Sequence, residues 1–509
     1  MIAWRHIKET MPPHWDFNVV LNINKQLGGF MAAGSFIFEN KLRPGCYIQV
    51  KGVPKASANM SERGTVVILM NSDSGGLITE IGANDILTGS SSAKGYPLSM
   101  FTDTKNILNY VYPYVNKIII GRLNYGGTSA SAVILKDSTS NPALTAKAIY
   151  DGTFGNGLSV IIKAEDSGEG KYKGKGFFVK TSLNGEVVDE QNVQVPQELK
   201  DNDYLKFVKS ESLAVLASTA AVDLAGGTNG EENPENLTKI LSRLTGMSWN
   251  TLGFCGKDEN KSVIDSYIKG LRENKGKYRQ AVLFNNSLSD YEGIISPHQA
   301  FAVDDDDVDW LSYPNSDEDE ENKRTAELRL RQMFAVGFVA AITAGSDVNV
   351  SNTYAPVPQN VIDVIPSVEE DEEVELELKS GLFTFTHNSQ NRIVIEKDIN
   401  TLHTYTQTKT APFSKNRVIR CLDELSNTKV MIWEEMFIGK IDNNVTGRNL
   451  LKSQILTIIQ NLVKVGALSD SDTTVVVEPG DEPDKVRSYE TVRPIDSMEQ
   501  LYSYVTVLG

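Results

Sequence analysis

Between residues 64 and 130 the chain alternates short apolar runs with amphipathic stretches. Residues 65–70 (TVVILM) form a nearly continuous apolar run, as in a strand covered on both faces. A polar loop at 72–76 (SDSGG) follows. A helical stretch over 104–114 comes next, then a second buried strand over 117–123 built on Ile118, Ile119 and Ile120. Strands alternating with helices predict an α/β sheet. From about residue 130 to 230 the pattern changes to strand alternation broken by Gly and Asn turns, as in 158–162, 176–181 and 187–189. We read this stretch as an inserted β-domain. The α/β pattern then returns, with helices over 236–244 and 261–274 and strands over 251–254 and 280–284. Residues 325–343 predict a helix, polar at its start and buried in its second half.

A last unit starts near residue 355. Residues 374–378 (VELEL) alternate after an acidic stretch, and 382–385 and 392–395 predict a hairpin across 387–390. Two helices follow, over 414–437 and 447–465, the second capped by Gly466. Strand-like segments sit near both ends. Over 34–50, Phe36 and Phe38 alternate with Ile37 and Pro44-Gly45 marks a turn; residues 501–508 (LYSYVTVL) are rich in aromatic and β-branched types. Left unpaired, both would be aggregation-prone edges, so both need partners. Residues 1–30 differ again, holding two of five tryptophans and two of five histidines without a clear period. Gly28-Gly29 ahead of Met31 can encode a purine-rich ribosome-binding sequence before a start codon. We therefore expect Met31 to be the biological start and 1–30 a non-native extension; the alternative is a genuine N-terminal arm.

Composition narrows the function. Fifty Lys and Arg face 66 Asp and Glu, a net charge of −16, which disfavours a general nucleic-acid binder without forbidding a local basic face. The three cysteines, Cys46, Cys255 and Cys421, are far apart and odd in number, so they read as buried thiols in a reducing compartment. Five histidines make a multi-histidine metal site unexpected. The longest apolar run, 333–344, is shorter than the ~20 residues a membrane helix needs, and the start of the chain shows no signal-peptide pattern. Residues 168–176 miss the P-loop spacing, with Gly176 where the hydroxyl should stand. Gly75-Gly76 and Gly126-Gly127 complete no dinucleotide fingerprint, and 155–159 do not form a nucleophile elbow. His298 reads as a loop residue, and His403 lies in a stretch expected to be ordered by backbone bonds. The acidic runs at 304–307 and 317–321 read as solvated loops without calcium-loop spacing. No catalytic residue, cofactor or metal is expected.

Several segments resemble one family. Gly34-Ser35-Phe36 and 40–48 (NKLRPGCYI) resemble the start of contractile tail sheath proteins of myoviruses and phage-tail-like bacteriocins, especially of Gram-positive hosts. Residues 120–124 with Gly126-Gly127 resemble the strand and loop before that family's inserted domain. Residues 150–156 (YDGTFGN) stand where many sheaths have Tyr-Pro-Gly-x-x-Gly-Asn, Asp151 departing from the proline, and 224–230 resemble the insert's ending. The most specific likeness is C-terminal: 394–402, 413–420, 439–444 with Gly447-Arg448, and 495–502. Together these cover the chain from about Ala32 onward.

The resemblance implies an α+β or α/β multidomain fold: an α/β sheath core, an inserted β-rich domain, and extended N- and C-terminal strand arms. Its implied boundaries are an extension (1–30), an N-terminal linker arm (31–60), an α/β sheath domain (61–129 plus 231–350), an inserted β-domain (130–230), a tube-proximal C-terminal α+β domain (351–498) and a C-terminal linker strand (499–509). The implied role is a non-enzymatic structural subunit that stacks as hexameric rings around a tail tube and contracts to drive the tube through a cell envelope. Implied partners are further copies of itself, the tail tube protein, and baseplate and tail terminator proteins, with no nucleic acid and no membrane insertion. Assembly is expected in the host cytoplasm, and the product in the particle tail. Strand exchange between subunits would use Ser35, Phe36, Ile37, Phe38, Tyr502, Tyr504, Val505, Thr506 and Val507.

Residues 392–464 carry eleven Lys and Arg against seven Asp and Glu, a +4 stretch in a −16 chain. Lys409, Lys415, Arg417, Arg420, Lys429, Arg448 and Lys452 are candidates for docking on an acidic tube; the other reading is solvated helix faces or intersubunit pairs. The competing classes are a cytosolic α/β hydrolase and a surface adhesin carrying the β-domain. The first lacks a converging set of titratable groups, and the second a signal peptide.

An intact-mass measurement on the native protein tests the predicted start. A mass without residues 1–30 is expected, and one that includes them contradicts a start at Met31.

Overall fold

Strand β1 (Thr65–Met70) forms the centre of a parallel sheet, and its side chains alternate between two cores. Val66, Ile68 and Met70 face one buried cluster; Val67 and Leu69 face another. A strand buried on both sides needs apolar residues at every position, which accounts for its unbroken run. The computed structural model describes residues 63–82, 107–135, 142–164, 176–209, 216, 218–304, 320–368 and 370–508, all within the unit Met60–Gly509. Outside them lie the N-terminal strand prediction with Ser35, Phe36, Ile37 and Phe38, Cys46, residues 168–175 of the lysine-rich loop, and the acidic stretch 305–319.

The sheet adds β2 (Ile78–Gly82) and β3 (Lys117–Arg122) on one side of β1. Strands β11 (Thr251–Phe254), β12 (Gln280–Leu283) and β13 (Ile294–Ile295) lie on the other. Only β2, at the edge, runs antiparallel to its neighbour. One face is covered by α1 (Pro234–Thr245) and α2 (Lys261–Asn274) through Leu237, Ile240, Leu244, Ile264 and Ile268. The other is covered by α3 (Glu320–Gly345) through Phe334, Phe338 and Ala341. Helix α3 begins in the acidic and basic residues 320–324 and becomes fully buried near Phe334, as its sequence predicts.

Among the described residues between β3 and α1 the chain makes seven strands that pair only with one another. Strands β4 (Ser131–Leu135), β5 (Pro142–Ala148) and β9 (Leu205–Lys209) form one antiparallel sheet. A second has the order β10 (Thr219–Asp223), β6 (Leu158–Ala164), β7 (Phe177–Leu183), β8 (Glu186–Val193). Ile134, Leu144 and Phe207 of the first and Val160, Ile162 and Val179 of the second belong to the same buried cluster.

Strand β14 (Ala300–Val303), ahead of α3, pairs with β15 (Val361–Ile365), which follows α3 and leads to helix α4 (Asp371–Lys379). Residues 374–378 are therefore helical despite their alternation. Glu and Leu are good helix formers, and three acids in the first turn favour that helix end. The predicted hairpin forms with its first strand shifted toward the turn, as β16 (Phe385–His387) paired with β17 (Ile393–Ile395), so His387 lies in the strand. Helix α5 (Asn416–Ile432) runs on into a π-helical turn, Trp433–Phe437, where Trp433 and Phe437 stack. Helix α6 (Val445–Lys464) is capped by Asn444 and followed by Gly466 at φ +77°. The chain then forms a long hairpin that the sequence reading did not identify, β18 (Leu468–Pro479) with β19 (Val486–Pro494).

Candidate assembly surfaces

At the carboxyl ends of β1 and β3, where a parallel sheet usually opens a ligand crevice, the structure is filled. Arg122, the last residue of β3, is buried there. Its guanidinium donates to the carbonyls of Ser72 (3.0 Å), Gly75 (2.9 Å) and Asp151 (2.9 Å) and to the side chains of Asn124 and Asn229. The Asp151 carboxylate accepts from the amides of Gly126 and Gly127 at 3.0 and 2.8 Å. This is what the departure from proline at 151 does: the acid caps the glycine turn leading into the β4–β10 segment. Outgoing and returning strands meet at Thr128 and Thr228. The approach is so close that a Cβ on Gly127 would lie 1.8 Å from the Thr228 carbonyl, and one on Gly152 (φ +132°) 1.8 Å from that of Asp73. Residues 120–127, 150–156 and 224–230 thus converge on one polar knot.

A second knot joins the α/β sheet to α5. Arg420 is 1% exposed and donates to Asp398 (2.8 Å) and to the Val350 carbonyl. Asp398 also accepts from Asn416 (2.9 Å) and from the amide of Asn352. Beside it Arg272 of α2 makes a bidentate pair with Asp423 of α5, at 2.7 and 2.8 Å. Burial opposes the charge on Arg272, but the Asp423 carboxylate outweighs it and raises the Arg272 pKa. A third knot ties the α5–α6 loop to the tip of the β18–β19 hairpin. Asn443 donates to the carbonyls of Pro483 and Lys485, and Arg448 donates to Asn443.

Ion pairs within the subunit take up four of the seven cations proposed to dock on a tube. Arg420 is corrected outright: a guanidinium sealed in an ion pair presents no charge to a partner. Lys409 pairs with Glu292 (2.8 Å) and sits over the Tyr291 ring; Lys415 pairs with Glu499; Lys429 pairs with Glu490 (3.1 Å). Arg417 is half-buried and Lys452 is exposed. His298, read as a loop residue, lies within 2.7 Å of Glu377 of α4; burial lowers its pKa against the pull of that carboxylate. The amides of His403 and Thr404 both donate to Asp290, so backbone bonds do order that stretch. Burial pushes the Cys255 and Cys421 thiols up to about 12, as expected of unreactive core cysteines.

The chain end behaves differently. Ile495 donates its amide to the Ala467 carbonyl, and the Glu499 side chain is held by Lys415, Thr353 and Ser497. Beyond it every described residue is exposed: Tyr502 at 76%, Tyr504 at 94%, Val505 at 82% and Val507 at 86%. No strand forms there among the described residues. A groove of about 630 Å³ lies between α5 and the β18–β19 hairpin, lined by apolar Phe413, Val418, Leu422 and Val492 and by charged Asp472 and Arg493. Glu499 and Thr353, absent from the sequence-based candidates, are the residues that hold the arm. Only the position of Glu499 inside the family-like segment 495–502 pointed to them.

The Arg122 knot is testable by substitution. Arg122→Met should remove the guanidinium from the carbonyls of Ser72, Gly75 and Asp151 and destabilise the chain by about 3–5 kcal/mol in chemical denaturation; a loss below ~1 kcal/mol would show that the junction does not depend on it.

The chain matches known families over two adjoining segments. Residues 230–401 match the phage tail sheath protein central domain, and residues 408–507 the phage tail sheath C-terminal domain. It is 26% identical over 506 residues to the phage-like element PBSX protein XkdK of Bacillus subtilis, covering 94% of this chain and 99% of that one. It is 27% identical to YqbK of the same organism, a protein without assigned function, covering 92% and 98%. Among solved structures it superimposes on the sheath tail protein of Desulfitobacterium hafniense with a TM-score of 0.67 at 27% identity, covering 89% of this chain and all of that one. It also superimposes on the sheath tail protein of Listeria innocua, with a TM-score of 0.66 at 23% identity, covering 86% and 93%. The family is structural rather than enzymatic, and the chain belongs to it: this is a phage tail sheath protein, a component of the virion tail that assembles with other tail proteins.

Proposed function

We propose that the chain polymerises as stacked hexameric rings around a tail tube and contracts to drive that tube through a cell envelope, its subunits linked by exchanged strands. The observation that carries this reading is the C-terminal arm. Leu501, Tyr502, Tyr504, Val505, Val507 and Leu508 are all exposed in a chain whose other apolar segments are mostly packed. A β-prone arm of this kind is stabilised by adding to a sheet in another molecule, where main-chain bonds give affinity and alternate side chains give fit. Among the described residues the β18–β19 hairpin is a two-stranded ribbon that pairs with no further strand, and the groove beside it has a mixed apolar and charged lining. Tyr502, Tyr504, Val505, Thr506 and Val507 would pair there, with Ser35, Phe36, Ile37 and Phe38 contributing at the other end of the chain.

On this reading residues 61–129 with 231–350 act as the α/β sheath domain, 130–230 as an inserted β-domain, and 351–498 as the tube-proximal domain. Arms 31–60 and 499–509 link subunits. The knots at Arg122 and Arg420 keep the body rigid, so motion on contraction is taken up by the arms. Contraction draws on interface energy stored in a trapped extended state, and needs no nucleotide. Arg417, Arg448 and Lys452 remain the docking candidates on the tube. Assembly takes place in the host cytoplasm, with baseplate and terminator proteins setting its ends.

Negative-stain electron microscopy tests the central step, with tail tube protein supplied as template. Full-length protein should give striated tubes, and a chain ending at Glu499 should give none. Tubes of equal length and order from the shortened chain would overturn strand exchange.

A further inference from the structure

The arm has a defined root. Glu499 is 14% exposed at its side chain and Lys415 15%, whereas Met498 and Leu501 on either side are bare. The Lys415 ammonium holds the Glu499 carboxylate, whose other oxygen accepts from Thr353 Oγ1 (3.2 Å) and Ser497 Oγ (3.1 Å). Thr353 Oγ1 in turn accepts from the amide of Asp398 (3.0 Å), which ties the site to the Arg420 knot. Between Ile495 and Glu499 the described residues make no main-chain hydrogen bond to the body. Only side chains hold this stretch.

We propose that Glu499 is the positioning residue of the arm, a latch that sets where the arm leaves the body and hence the length of the link between subunits. The proposal rests on the strand-exchange reading. With the latch closed, the free link begins at Gln500. Opening it moves the root back to Ile495 and pays out residues 496–499, adding at most about 13 Å of extended chain. Rings that slide and turn against each other need a link of defined length: too long a link leaves the register between subunits unset. Asp496 lies 3.5 Å from the same ammonium. Loss of Glu499 alone therefore leaves Lys415 a second carboxylate, while loss of Lys415 takes the cation from both and leaves Glu499 only the hydroxyls of Thr353 and Ser497.

The test uses the full chain with Cys46→Ser and a nitroxide on Gln500→Cys; Cys255 and Cys421 are buried and do not compete. In the unassembled protein the label should be slow with Lys415 present and severalfold faster in Lys415→Met. It should be intermediate in Glu499→Gln and slow again in the charge exchange Lys415→Glu with Glu499→Lys. The denaturation midpoint of each variant separates a released arm from a damaged body. In tube assembly, Lys415→Met should raise the concentration needed about tenfold, the size of effect expected from losing one shielded, charge-assisted contact, and the charge exchange should restore it. A label equally slow in Lys415→Met overturns the latch. A freed label with assembly and helical rise unchanged overturns its role in setting the link. If the chain ending at Glu499 assembles normally, strand exchange fails while the label still reports on the latch.

Discussion

A buried guanidinium cannot be left without acceptors, and in this fold that constraint decides where the chain can go. Arg122 sits at the carboxyl edge of the parallel sheet, and carbonyls from 72–75 and 151 are drawn in to satisfy it. Once they are, the loop after β1, the turn into the β4–β10 segment and its return strand are fixed against one another. The crevice that an α/β enzyme would use is filled by the same contacts. One interaction thus joins the α/β sheet to the β4–β10 segment at the ends of β1 and β3.

The same economy governs charge elsewhere. Arg420 and Asp398, Arg272 and Asp423, Lys429 and Glu490 all bind α5 to its surroundings. Arg420, Asp398, Arg272 and Asp423 are buried, so breaking either of those two pairs leaves a buried charge unmatched. These contacts tie α5 to its surroundings, whereas the chain end beyond Glu499 is exposed. There, apolar side chains alternate along a segment with no sheet of its own.

Much of the fold is legible in the sequence. Unbroken apolar runs at 65–70 and 118–120 mark strands with two buried faces, and the period of α3 marks the change from solvent to core along one helix. The alternation at 374–378 misleads, because Val and Leu between glutamates fit a strand period while helix propensity and an acidic first turn win. The β18–β19 hairpin is hard to see because its strands are polar on one face and interrupted by a bulge near 469–474. The exposed arm is legible from its aromatic and β-branched content. The basic surplus over 392–464 is not legible as a surface, because composition does not show that Arg420 faces inward or that Lys409, Lys415 and Lys429 meet acids distant in sequence.

The most direct measurement is a helical reconstruction of assembled tubes by electron cryo-microscopy, at a resolution that separates strands. The account predicts that residues 501–507 of one subunit extend the β18–β19 ribbon of another, with the body unchanged around Arg122. Density in which the arm folds back on its own subunit, or in which subunits touch only through their bodies, would contradict it.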